Sequence, residues 1–211
     1  VGLDYLIGEM QKRGVSCKFL AVGSMGGVFA AQRGECDLAS THLLDENAGE
    51  YNRHLLTPEL HLQKGYRRSQ GLLFRIDDSN FTDFKSDFEN AIQQIINNAE
   101  VRMINRNRGS GTRILLDRLL ADQRPAGFFQ EAKSHNSVAA AISQNRADWG
   151  IAIRSVAEDL GLGFYPIQDE EYDFILPKNR LERPEVALFL SLLQETEIQN
   201  KLANFGLRTT N

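Results

Sequence analysis

The 211-residue chain sets 24 Lys and Arg against 28 Asp and Glu, a formal charge of −4, which leaves it ill-suited to gripping a nucleic-acid backbone with a basic face. Twelve Phe and 42% hydrophobic residues exclude a disordered chain and suffice for a core in one domain or two small lobes. No apolar run is long enough to span a bilayer as a helix.

Leu3, Leu6, Ile7 and Met10 stand at helical spacing and predict a helix over about 3–13, ending near Gly14. "SCKFLAV" (16–22) reads as a strand, "GSMGG" (23–27) as a tight turn opening a helix that runs to Gly34, and "CDLAST" (36–41) as a second short strand. Residues 42–58 read as a loop with a little helix, and "QGLLFRI" (70–76) as a strand. A second alternating block follows. It has helices over 81–98, 110–122, 136–145 and 154–160, and strands over 100–105, 127–132, 147–153, 162–167 and 172–178. Two further helices, over about 183–195 and 197–204, close the chain. Strands alternating with helices predict βαβ units and a mainly parallel sheet. Cys17 and Cys36 are the only cysteines and read as reduced thiols, not a disulfide. A chain opening on Val1, directly in a helical pattern, reads as a piece of something longer.

The densest chemistry is "INRNRGSGTRILLD" (104–117). A strand end, a small-residue turn and a helix start gather free backbone N–H groups at the positive end of the helix dipole. Ser110 and Thr112 add hydroxyls there, Gly111 allows close approach, and Arg108 and Arg113 add forked charged donors. The preferred guest is an anion. An ordinary Ser110 cap with solvated or ion-paired arginines is the competing explanation. The run lacks the lysine of a Walker A loop, and Ile114 breaks a G-x-G-x-x-G.

A second turn of the same design, "AVGSMGGVFAAQRG" (21–34), offers Ser24, Met25, Gly26 and Gly27 at a helix start. "STHLLD" (40–45) sets Thr41 and His42 at a strand end, and "KSHNSVAAAI" (133–142) opens a helix with Ser134, His135 and Asn136. Ligands of open α/β sheets bind outside the carboxyl ends of strands. Convergence of these donors favours the anion reading. One helix terminus contributes only about 0.3–1 kcal/mol toward an anion, micromolar affinity needs about 8 kcal/mol, and several charge-assisted hydrogen bonds of roughly 1.5–3 kcal/mol must therefore act together. No C-x-x-C, H-E-x-x-H or G-x-S-x-G is present, so neither a metal, a cofactor nor a catalytic set is expected.

Taken in order, "VGSMGGVFAAQRGECDLASTHLLDENAGEYN" (22–52), "RSQGLLF" (68–74), "INRNRGSGTRILLD" (104–117), "HNSVAAAISQNRADWGIAIRSVAEDLGLGFYPI" (135–167) and "YDFILPK" (172–178) resemble the periplasmic-binding-protein-like domain family. Its members occur at the C-terminus of MoeA-type molybdopterin-biosynthesis proteins or behind a helix-turn-helix domain. The resemblance implies a type II periplasmic-binding-protein-like α/β fold with two lobes, 1–75 plus 174–211 and 76–173, two crossover strands, and a ligand cleft between the lobes. It also implies kinship with molybdate- and tungstate-binding proteins, with ligand contacts at Ser24 and its neighbours, Thr41, His42, the 108–113 turn and His135. Family members carry a strand and a small polar loop before the first helix, where this sequence has only Val1-Gly2 ahead of Leu3.

The expected function is a non-catalytic sensory domain for a molybdate- or tungstate-like oxyanion, in a cytoplasmic regulator or molybdenum-metabolism protein. DNA contact would come only through an upstream domain, no membrane contact is expected, and a homodimer is admitted. The rivals are an extracytoplasmic binding component of an oxyanion ABC transporter and an accessory domain of a molybdenum-cofactor enzyme; a third is a small organic ligand.

Overall fold

The computed structural model describes residues 2–45 and 47–209. In chain order the elements are α1 (Gly2–Lys12), α2 (Gly23–Gln32), β1 (Ala39–Thr41), β2 (Leu44–Asp45), β3 (Glu50–Tyr51), a 3-10 turn at Arg53–Leu55 and β4 (Leu60–Phe74). A 3-10 segment at Ser79–Lys85 leads to α3 (Phe88–Asn97), then β5 (Met103–Arg106), α4 (Gly111–Leu120), β6 (Glu131–Ala132), α5 (His135–Ser143), β7 (Trp149–Ile153) and α6 (Arg154–Asp159). Last come β8 (Gly163–Pro177), a 3-10 turn at Lys178–Arg180, α7 (Pro184–Leu192), α8 (Thr196–Asn204) and β9 (Arg208–Thr209).

The chain forms two compact units, Val1–Arg68 with Glu170–Asn211, and Ser69–Asp169. It passes from one to the other within the two 15-residue strands β4 and β8. In the first unit β1 pairs antiparallel with β8, Thr41 opposite Asp173, and β9 pairs antiparallel with β4, Tyr66 opposite Thr209. Its core joins Leu6 and Met10 of α1 to Tyr66, Phe174, Leu176, Phe189, Leu192 and Leu202. In the second unit β5 lies parallel to both β6 and β7, and β7 pairs antiparallel with β4. Trp149, Met103, Leu116, Ile92 and Phe84 fill one side of that sheet. Val138, Ala139, Ile142, Val156 and Ala157 fill the other.

Several sequence expectations need correction. Residues 16–22 are not a strand: no described strand pairs with them, and Phe19, Leu20 and Val22 are 56%, 63% and 56% exposed. Their composition suits a pleat, but a strand without a neighbour leaves its backbone groups unbonded. The sheet is parallel only across β5, β6 and β7, because β8 returns against β1 and β4 against β7. The single helix expected over 81–98 is interrupted where Asp87 caps α3, its carboxylate accepting from Asn90 N at 3.2 Å. The separate strands expected at 162–167 and 172–178 are one strand, β8.

Candidate functional site

In the first unit, α2 starts at Gly23, which takes φ +73°, and its N-cap position is held by Val22, whose side chain makes no capping bond. The first amides of α2, at Gly23, Ser24 and Met25, lie before any intrahelical acceptor. Gly27 brings the helix close to β1, since a Cβ added there would stand 3.2 Å from the Cβ of Ala39. Ser24 Oγ lies 3.3 Å from His42 Nδ1, so the structure brings these two together. The His42 ring stacks on Tyr172 at 5.5 Å, and Tyr172 stacks in turn on Tyr66 at 5.0 Å. Burial pushes both phenols up from their ordinary pKa. Arg68 sits over the Tyr172 ring and pairs with buried Glu170. Met25 faces outward, 41% exposed, and Gly26 fits closely against Val22.

Thr41 is fully buried, and its hydroxyl donates to Asn52 Oδ1 at 3.1 Å. Asn52 occupies the left-handed region at φ 65°, accepts from Leu43 N at 2.8 Å, and donates to Asp173 Oδ2 at 2.9 Å. Asp173, also fully buried, accepts from Gly65 N and from Lys64 Nζ, each at 3.1 Å. Thr41 therefore joins a buried brace that ties the end of β1 to β8 and β4. Beside this brace, Glu171 bonds to Lys64 and Arg67. Burial raises the Glu171 carboxyl, and the two cations more than reverse that, leaving it below the usual range. A depressed carboxylate stabilises the fold above its unfolded pKa, about 4.3, and that contribution is lost as pH falls through the folded value. Acid melting curves should therefore show a Glu171→Gln variant losing less stability below about pH 4 than the parent; parallel curves would assign the acid limb to other carboxylates.

In the second unit, three parallel strands end on one edge, and each leads into a helix start: β5 to α4, β6 to α5, β7 to α6. Ser110 caps α4 as expected, its Oγ accepting from Arg113 N at 3.2 Å and donating to Asn107 O at 3.1 Å. The cap uses the third amide of the helix and leaves those of Gly111 and Thr112 ahead of the intrahelical ladder. Thr112 is buried. Arg108 is exposed, with no side-chain hydrogen bond or ion pair among the described residues.

Arg113 is buried, and its guanidinium is already engaged. Nε donates to Asp117 Oδ1 at 2.7 Å, while Nη1 donates to Glu131 Oε1 at 2.9 Å and to Arg106 O at 3.1 Å. The same group lies over the Phe128 ring. Burial lowers the Arg113 pKa, and Asp117 and Glu131 more than restore it. Its placement is that of a strut between α4 and β6.

Motif reading missed Arg106. It is the last residue of β5, 7% exposed, with Nε donating to Ala132 O at 3.2 Å and Nη1 standing 3.2 Å from His135 Nδ1. A guanidinium can only donate, so His135 Nδ1 accepts and the imidazole proton sits on Nε2. His135 is the first residue of α5, whose cap Ser134 accepts from Ser137 N at 3.1 Å. The structure thus joins His135 to Arg106, which sequence reasoning overlooked because an arginine inside a strand carries no motif.

Among the described residues no cluster of three or more His, Cys, Asp or Glu could hold a metal ion, and no helix is long and apolar enough to cross a membrane. Cys17 and Cys36 are free thiols, and burial raises the pKa of Cys36.

A mixed α/β chain crossing between two units on long strands, with donor-bearing helix starts in each, has the type II periplasmic-binding-protein fold. Residues 7–194 match the model of the PBP superfamily domain, and the chain belongs to that family. It is 31% identical over 167 residues to YvgK, an uncharacterized protein of Bacillus subtilis (strain 168). That match takes in 74% of this chain and 51% of YvgK, so the chain spans about half the length of that relative. Among solved structures it resembles a Clostridium perfringens protein assigned as a phosphate ABC transporter substrate-binding protein, solved with bound phosphate. There the TM-score is 0.73 and the identity 12%, over 100% of this chain and 95% of that one. An ABC-type phosphate transport receptor of Vibrio cholerae aligns with a TM-score of 0.63 and 14% identity, over 99% of this chain and 95% of that one.

Proposed function

We propose that the chain is a non-catalytic domain that binds a small oxyanion through backbone and side-chain donors at its helix starts. The observation that carries this reading is Arg106. A buried guanidinium closes the carboxyl end of β5, beside the open amides of α4 and the first residue of α5. A buried cation next to helix N-termini favours negative charge. In the first unit, the uncapped start of α2 with Ser24 and His42 offers donors of the same kind.

Molybdate and tungstate would suit a lining that only donates, because their four oxygens accept hydrogen bonds and carry no proton. Hydrogen phosphate would suit a lining that also accepts, and similarity to two solved proteins described as phosphate binders favours it. The domain would act as the effector module of a longer cytoplasmic protein, a regulator or a molybdenum-metabolism protein, and any DNA contact would belong to an attached domain. Calorimetric titration with molybdate, tungstate, sulfate and phosphate tests the proposal. One of them should bind with micromolar affinity or better, and no heat from any of the four removes the oxyanion reading.

A further inference from the structure

Buried polar atoms in folded proteins almost always have hydrogen-bond partners, and those that do not call for an explanation such as a missing ligand. In the second unit, among the described residues, such atoms include Trp149 Nε1, Asn107 Oδ1 and Ser155 Oγ. Trp149 opens β7 and sits in the apolar core beside Met103, far along the strand from its carboxyl end. The other two are at that end. Asn107 follows the last residue of β5, and Ser155 is two residues beyond the end of β7. These strands are parallel neighbours, Ile104 opposite Gly150, so the pairing carries Asn107 to the level of Ile153. Adjacent strands run about 4.8 Å apart. Ser155, the second residue of α6, is 6% exposed, and its hydroxyl makes no hydrogen bond among the described residues. Asn107 also belongs to the turn that caps α4, its backbone oxygen accepting from Ser110 Oγ.

We infer that Ser155 and Asn107 are ligand contacts, and that the bound anion carries a hydrogen-bond donor of its own. The inference rests on the oxyanion reading and deepens it. Asn107 Oδ1 can only accept, so the atom facing it must bear hydrogen. Ser155 can donate to an oxyanion oxygen or accept from a protonated one. A site that adds an amide oxygen to helix-start amides and Arg106 suits an anion that keeps a proton near neutral pH. Hydrogen phosphate is of that class, whereas sulfate, molybdate and tungstate are fully deprotonated there, and a phosphomonoester, with a second pKa of about 6, largely so. A site whose buried acceptor needs a proton discriminates strongly against the analogue lacking it.

The test compares inorganic phosphate with sulfate and molybdate by calorimetry on the parent chain, Ser155→Ala and Asn107→Leu. The parent should prefer phosphate at least tenfold. Ser155→Ala should weaken phosphate about tenfold while the ligand-free melting temperature holds or rises, because an unbonded buried hydroxyl has been removed. Asn107→Leu should erase the preference for phosphate and leave sulfate affinity within twofold. Equal or tighter binding of molybdate or sulfate by the parent overturns the inference and leaves the oxyanion reading standing. So does a Ser155→Ala protein that melts earlier and binds phosphate as before. Silence toward all three anions overturns both.

Discussion

Replacing Arg106 with Ala should weaken anion binding about 10- to 100-fold. The side chain is 7% exposed and holds Ala132 O and His135 Nδ1 from β6 and α5. A charged hydrogen bond to a ligand oxygen is worth roughly 1.5–3 kcal/mol, about 10- to 100-fold in affinity. The truncation also strips partners from a buried carbonyl and an imidazole nitrogen, so some melting temperature is lost as well. Arg106→Lys separates the two effects. It keeps the charge, lacks the planar fork, and should recover part of the affinity but not both internal bonds. His135→Ala should cost less than Arg106→Ala, since the imidazole acts by positioning the guanidinium. An Arg106→Ala protein that melts early yet binds its anion within twofold of the parent would make Arg106 a brace between β6 and α5 and nothing more.

The largest expected loss of stability belongs to Asp173→Ala. This carboxylate is fully buried and accepts from Asn52 Nδ2, Gly65 N and Lys64 Nζ, and Asn52 in turn holds Thr41 and Leu43 N. Removing one partner from a buried, hydrogen-bonded ion pair costs about 3–5 kcal/mol. Lys64 retains 33% side-chain exposure and can recover some hydration, which places the loss near the lower end of that range. Chemical denaturation should show it as a shift in midpoint at unchanged slope. Asp173→Asn should lose less, because the amide oxygen still accepts from Gly65 N while its NH2 group faces two donors. A stability loss below about 1 kcal/mol for Asp173→Ala would mean that the brace relaxes into water-filled contacts.

Much of this was legible in the sequence, and what was not has physical causes. The cap at Ser110 could be read because cap chemistry is local: a hydroxyl three residues before a free amide. The start of α5 at Ser134 followed from the same logic, whereas α2 begins at Gly23, inside the stretch expected as a turn, behind Val22, which makes no capping bond. Arg113 was legible as a residue of the turn but not as a strut, because Glu131 and Asp117 meet it only once β6 lies beside β5. Thr41 looked like an available donor, and its partner Asn52 could not be foreseen, since nothing in "GEYN" announces a left-handed asparagine reaching back to β1. The long strands β4 and β8 were obscured by stretches such as "LHLQKGYRRSQ", where charged side chains on half-covered faces break the alternation. The expectation of a strand at 16–22 failed for the opposite reason. Its apolar residues signalled burial, and no strand among the described residues pairs with it to supply that.

That last segment has a practical corollary. Phe19, Leu20, Val22, Met25 and Phe29 are all more than 40% exposed, five large hydrocarbon groups within eleven consecutive positions. Kosmotropic salts strengthen the tendency of such groups to leave water. The purified chain should therefore be retained on a phenyl column, salt out early in ammonium sulfate, and brighten an environment-sensitive dye such as ANS without first being unfolded.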